Sequence, residues 1–189
     1  MYDGVGRRSD QSSGRFLNIG QHSLNGYERN CLFRNTGDGR FVDVAYVNAA
    51  DRVEDGRGLS VFDYDEDGQL DLLLRNYHQP AQLLRNQGGA NHWIELRLVG
   101  TRSNRDAVGA RVRVLAGGRW QTRVVGAGSG FVSAHSLVQH VGLAQMAIVE
   151  RIEIDWPAGH RTVHGPLPGD RRHEIVEPSP SDAVRAAAR

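Results

Sequence analysis

The sequence predicts an all-β fold. Three observations carry that expectation. Apolar residues alternate with polar ones at period two in several segments. Glycine is abundant, with 23 residues spread between those segments as turn formers. Valine, a residue that suits pleated sheet, is more frequent than either leucine or isoleucine.

The first thirty residues are polar and glycine-rich, with only short apolar islands around Phe16-Leu17 and Ile19. Residues 1–24 read as a polar segment, a remnant of an upstream repeat. From Cys31 the texture changes. Leu32 to Asn35, then Thr36-Gly37-Asp38-Gly39, then Arg40-Phe41 reads as strand, turn and strand, with the glycines supplying positive-φ positions. The alternation from Phe41 through Tyr46 extends the second strand. Leu59 to Phe62 is a strand entering an acidic turn, and Leu70 to Leu74 is the strand leaving it. Leu83-Leu84-Arg85-Asn86-Gln87-Gly88 then echoes Leu32-Phe33-Arg34-Asn35-Thr36-Gly37 at an offset of 51 residues. A repeat of that period in a β-rich chain suggests propeller blades, and two copies make only part of a ring.

Beyond Asn91 the pattern changes. Ile94, Leu96 and Leu98 alternate with Glu95, Arg97 and Val99. Val112 and Val114 alternate with arginines, Trp120, Thr122 and Val124 with Gln121, Arg123 and Val125, and Ile152, Ile154 and Trp156 with Arg151, Glu153 and Asp155. Each reads as a half-buried strand with its charged residues facing water. The expectation is an antiparallel β-sandwich or barrel-like domain of six or seven strands over 91–177, following a repeat over 25–90, with a disordered tail over 178–189.

All 23 basic residues are arginine, and the net charge is +1. The absence of lysine excludes P-loop and Schiff-base chemistry. The near-zero balance argues against a nucleic-acid partner. The single cysteine, Cys31, excludes an intrachain disulfide. No apolar run approaches the length of a membrane helix, and Met1-Tyr2-Asp3-Gly4 lacks the pattern of a secretory leader. That leaves a cytoplasmic protein or a fragment whose true start lies upstream.

The small total hides a concentration of charge. Residues 51–71 hold eight of the 22 acids. Within that block, Asp63-Tyr64-Asp65-Glu66-Asp67-Gly68-Gln69-Leu70-Asp71 sets carboxylates at loop positions 1, 3, 5 and 9. Like charges so close repel unless a cation joins them. Calcium suits a hard, irregular oxygen set, whereas magnesium prefers fewer carboxylates and more water. Gly68 permits the sharp turn, and Gln69 would offer its backbone carbonyl. An EF-hand needs Glu at position 12, which is Leu74 here. The expected metal ligands are therefore Asp63, Asp65, Asp67, Gln69 and Asp71 around Ca²⁺ in a loop between two strands. The alternative is a solvated acidic turn, against which the alternation counts.

This stretch with its flanking strands resembles the FG-GAP/VCBS calcium-binding repeat of integrin-type propellers. Asn91-His92-Trp93-Ile94, Gly100 to Ala110, Gly128-Ser129-Gly130-Phe131 and Trp156-Pro157-Ala158-Gly159, in that order, resemble the ASPIC/UnbV domain. The resemblance implies a calcium-stabilised β protein that is secreted, periplasmic or at the cell surface, usually with more repeats upstream. It brings no catalytic residues. The function expected is non-enzymatic: adhesion, or binding of a carbohydrate or an extracellular protein. The alternatives are an accessory protein of an enediyne-like secondary-metabolite pathway, or an assembly subunit that self-associates through open sheet edges.

The remaining constellations read as structural. None of the eight histidines forms a zinc pattern, so backbone hydrogen bonding is their expected role. Gly126-Ala127-Gly128-Ser129-Gly130 fails as a nucleophile elbow and as a dinucleotide fingerprint, and reads as a bulge or a sharp strand bend. Arg102, Arg105, Arg111, Arg113, Arg119 and Arg123 read mainly as solvated strand faces, with an anionic ligand as the alternative. Trp93 and Trp156 read as core, and all three tryptophans could in principle stack a sugar.

Overall fold

The computed structural model describes residues 28–130 and 132–179. The segment 1–24 and most of the tail lie outside them. The described residues form fourteen strands and no α-helix. No helix among them is long and apolar enough to cross a membrane.

β1 (Phe33–Asn35) and β2 (Phe41–Asp43) pair antiparallel around the glycine turn, where Gly37 and Gly39 have φ of +88° and +85°. The alternation that suggested a strand through Tyr46 stops at Asp43. Its Oδ1 accepts the N–H groups of Leu32 (3.1 Å) and Ala45 (2.9 Å), and the chain turns over residues 45–49. Side-chain capture of local N–H groups by Asp competes with ladder formation in this way. β3 (Gly56–Phe62), β4 (Asp71–Asn76) and β5 (Gln82–Leu84) form an antiparallel sheet in that order. The sequence repeat recurs as a local turn: Asn35 Oδ1 accepts Gly37 N–H at 2.7 Å, and Asn86 Oδ1 accepts Gly88 N–H at 3.1 Å.

The remaining strands are β6 (His92–Val99), β7 (Arg111–Ala116), β8 (Arg119–Val124), β9 (Gln139–Ala144), β10 (Ile148–Val149), β11 (Arg151–Asp155), β12 (Arg161–His164), β13 (Leu167–Pro168) and β14 (Arg171–Val176). They form a four-stranded sheet, β12-β11-β7-β8, a three-stranded sheet, β14-β6-β9, and a short β10-β13 pair. Ile94, Leu96, Leu98, Val141 and Ile175 from one sheet share a core with Val112, Val114, Ile152 and Ile154 from the other. Trp156 completes it at 3% exposure, as the alternation required. The sheets stay open and form no closed barrel.

In the sandwich, the structure corrects the sequence expectation of strand number, direction and facing. The sandwich is not wholly antiparallel, because β14 runs parallel to β6. Nine strands, not six or seven, make up this part. The Gly126–Gly130 stretch is an irregular connection between β8 and β9, outside any strand. The face of β8 is also reversed. Register with β7 turns Trp120, Thr122 and Val124 outward and Gln121 and Arg123 inward. The inward pair finds polar partners there. Gln121 Nε2 donates to Gly142 O at 2.7 Å, and Arg123 Nε donates to His140 O at 3.1 Å. Both carbonyls lie on edge strand β9 and would otherwise be left unpaired.

The parallel placement of β14 delivers Glu177 to the turn after β6. Glu177 is 1% exposed. Its carboxylate accepts the N–H groups of Thr101, Arg102 and Ser103 at 2.7–2.8 Å and the Ser103 hydroxyl at 2.8 Å. Burial alone would raise its pKa. These donors outweigh burial and hold it at about 2. A depressed carboxylate contributes stability above its unfolded pKa of about 4.5, and that contribution is lost as pH falls towards 2. Glu177→Gln is expected to cost on the order of 2–3 kcal/mol at pH 7 and much less at pH 2.5. Urea unfolding of both proteins at the two pH values measures this, and an equal cost at both would contradict it.

Candidate metal centre

The acidic turn lies between β3 and β4, closed at its base by the Phe62–Asp71 pair. Two carboxylates organise its backbone. Asp63 accepts the N–H groups of Asp67 (3.2 Å) and Gly68 (2.8 Å). Asp71 is 1% exposed and accepts Tyr64 N–H at 2.9 Å and Asn86 N–H at 2.7 Å. It therefore ties the turn to the end of the second repeat copy. Glu66 and Gly68 both have positive φ, at 58° and 85°.

Asp63, Asp65 and Asp71 each offer one carboxylate oxygen, and these oxygens lie within 4.8 Å of one another. Two oxygens bound at about 2.4 Å to a single calcium ion are separated by at most about 4.8 Å. The donor set, hard oxygens on three carboxylates, fits that ion. Asp67 and Gln69 are placed differently. Asp67 accepts Gln69 N–H at 2.9 Å and lies 3.3 Å from Arg85, while the Gln69 side chain lies near Gly88. Arg85 also pairs with Asp65 at 2.6 Å. The echo motif thus supplies a cation to the loop through Arg85 and an N–H through Asn86.

The turn is also seated on the sandwich. One cross-strand row on the outer face of β14-β6-β9 consists of Arg172, Glu95 and His140. His140 Nε2–H donates to Gly68 O at 2.8 Å. Arg172 bridges Glu66 (3.0 Å) and Glu95 (2.7 Å). Trp93 stacks on His140 with ring centroids 6.1 Å apart, and its ring covers Gly68. Glu95, read from alternation as facing water, is therefore 3% exposed. Trp93 lies on this outer face, not in the core between the sheets. A second contact joins the two regions along β3: Ser60 Oγ–H donates to Ala134 O at 2.8 Å, and Val61 N–H donates to His135 Nδ1 at 3.2 Å. The histidines in these contacts serve hydrogen bonding, as their sequence positions suggested.

Residues 100–182 match the ASPIC and UnbV family, and residues 21–74 match the FG-GAP-like repeat. Cartilage acidic protein 1 of Homo sapiens is 31% identical over 155 residues, which cover 77% of this chain and 23% of that protein. The Mus musculus protein of the same name is 30% identical over 142 residues, 71% of this chain and 22% of that protein. The Xenopus tropicalis protein is 37% identical over 73 residues, covering 38% of this chain and 11% of that protein. The chain spans less than a quarter of the length of these curated relatives. It carries an FG-GAP-like repeat followed by an ASPIC/UnbV domain, and it is homologous to cartilage acidic protein 1.

Two glycines separate conformation from packing. A Cβ on Gly37 would meet no atom within 4 Å, whereas one on Gly68 would lie 1.9 Å from the Trp93 ring. Gly37→Ala is expected to cost about 1 kcal/mol, the left-handed backbone penalty alone. Gly68→Ala is expected to cost at least about 3 kcal/mol, because the ring must also move. Denaturant titration of the two variants reads the difference, and equal costs would show that the Trp93 contact is not tight.

Proposed function

We propose that this chain is a non-enzymatic, calcium-stabilised binding protein that acts outside the cytoplasm, with its FG-GAP-like repeat serving as one blade of a partial propeller. The observation that carries the reading is the convergence of the Asp63, Asp65 and Asp71 oxygens in a turn already fastened to the sandwich. Calcium would supply positive charge at that point. Asp63 and Asp71 would hold their oxygens towards it while their N–H partners keep the turn closed. Asp67 and the Gln69 carbonyl would complete the set at the loop's open side. The family resemblance supports secretion, a periplasmic location or the cell surface. Binding to a carbohydrate or an extracellular protein is the role such a rigid β scaffold suits.

Millimolar Ca²⁺ is expected to raise the melting temperature relative to EGTA, since binding to the folded state alone adds about 2.7 kcal/mol at a hundredfold excess over Kd. Asp65→Ala should abolish the rise. Superimposable melting curves in Ca²⁺ and EGTA would refute the metal reading.

A second reading, self-association, has its own observation. Phe33, Phe41, Val42, Tyr46 and Val47 are all exposed around the β1-β2 hairpin, Tyr46 at 85%. Beside them lies a cleft of about 770 Å³ with a mixed lining, Leu32, Leu72 and Leu83 together with Asn48, Arg52 and Gln87. Apolar patches of this kind mark contact surfaces, and a two-stranded hairpin gains stability when it is covered. Sedimentation should give a mass above 20.8 kDa at micromolar concentration. The Phe33→Ser/Phe41→Ser variant should return the monomer. A monomer at every concentration would discount this reading.

A further inference from the structure

The two sheets of the sandwich use their outer faces differently. The outer face of β14-β6-β9 is engaged by the acidic turn. Among the described residues, no other element covers the outer face of β12-β11-β7-β8, and its composition is unusual. Register aligns two rows across its four strands: Arg161, Asp155, Arg111 and Val124 in one, and Val163, Glu153, Arg113 and Thr122 in the next. Arg151, Leu115 and Trp120 begin a third. Four guanidiniums thus meet two carboxylates, and two positive charges remain uncompensated. Glu153 is held by Arg113 (2.9 Å), Arg151 (3.0 Å) and Arg161 (3.4 Å), which fixes the three side chains in place. Arg161 also pairs with Asp155 at 2.6 Å. The Arg111 guanidinium makes no hydrogen bond or close ion pair among the described residues, although its charge helps Arg161 keep the Asp155 carboxyl below its usual range.

Trp120 adds the second component. It is 41% exposed, and the Arg113 guanidinium lies 4.4 Å from its ring centre. Val124 and Val163 flank the charged rows at 59% and 52% exposure. An indole on an open face, next to pre-positioned guanidiniums, is the pairing that suits an acidic sugar. The ring takes the apolar face of a pyranose, and the arginine fork takes a carboxylate or sulfate. Arg161 and Arg111 sit two strands apart, about 10 Å between backbones, so successive anionic groups of a polymer could meet successive arginines. Arginine clusters also recognise acidic peptides; the exposed indole beside the rows favours a pyranose ring, and the poly-glutamate arm of the test separates the two.

We infer that the outer face of the four-stranded sheet, centred on Trp120, Arg113 and Arg111, is a binding surface for an acidic polysaccharide. This deepens the binding-protein reading above and rests on it, but it does not need the metal.

The test uses the full chain in parallel in millimolar Ca²⁺ and in EDTA below its melting temperature, with circular dichroism verifying the fold in each. Binding is scored in whichever condition keeps the chain folded, so success or failure of the metal reading leaves the result unaffected. Polygalacturonate and heparin serve as carboxylated and sulfated probes, dextran as the neutral polymer and poly-glutamate as the acidic polypeptide. Binding to at least one acidic polysaccharide is expected, weakening as salt is added, with no binding to dextran. Trp120→Ala should weaken it about tenfold. Arg111→Gln, a change at a solvent-facing side chain, should weaken it about threefold and serves should Trp120→Ala disturb the sheet. Which of the two probes binds distinguishes carboxylate from sulfate recognition. Failure to bind either, binding unchanged in both variants, or equal affinity for poly-glutamate would overturn the assignment.

Discussion

The contact between Gly68 and Trp93 joins the two halves of this molecule, and much else follows from it. A turn that carries five acids cannot lie against a sheet face unless its backbone comes close and its charge is answered. Glycine at the apex allows the approach, since the indole occupies the space a side chain would need. The answer to the charge comes from Arg172, which takes Glu66, and from Arg85, which takes Asp65 and Asp67. The cross-strand row Arg172–Glu95–His140 is thus a seat, and its central carboxylate is buried because the turn covers it.

The seating changes what the acidic turn can be. A free acidic loop would relax its repulsion by spreading into solvent, and the oxygens would part. Here the loop is held at three points: the Asp71 hydrogen bonds to Tyr64 and Asn86, the Asp63 hydrogen bonds to Asp67 and Gly68, and the His140 bond to the Gly68 carbonyl. The scaffold keeps carboxylates near one another at an electrostatic cost, and proteins accept such a cost where a cation is to be bound. Arg85 meets part of that cost from within the chain.

The sheet content, the hairpin around Gly37 and the two copies of the Leu-x-Arg-Asn-x-Gly motif were legible from alternation and spacing, because each is a local pattern. The acidic turn was legible for the same reason. What failed were particular inferences about what covers a face, although the core faces of β6, β7 and β11 were read correctly. Glu95 alternates like a solvent residue and is buried under the turn. Trp120, Thr122 and Val124 alternate like a core face and point outward. Gln121 and Arg123 go inward because the edge of β9 offers carbonyls to satisfy. Trp93, His140, Arg172 and Arg85 were absent from the expected site because their roles arise between segments distant in sequence. The one available hint was the echo of Leu32–Gly37 in Leu83–Gly88, which places Arg85 and Asn86 at a repeated structural position beside the loop.

The same reasoning accounts for the division of charge. The net of +1 averages an anionic turn and a cationic sheet. The turn lies on the outer face of one sheet, and the arginine rows lie on the outer face of the other. Were the arginines there only to neutralise Glu153 and Asp155, two would have been enough. A third and fourth guanidinium on one flat face, one of them over an exposed indole and another without a close acidic partner, add self-repulsion that the fold does not require. Under the proposal above, an anion lying across the rows would offset that self-repulsion. The C-terminal domain therefore has opposite surfaces of different character. One holds the repeat in place, and the other carries the arginine rows that the proposal above makes a binding surface.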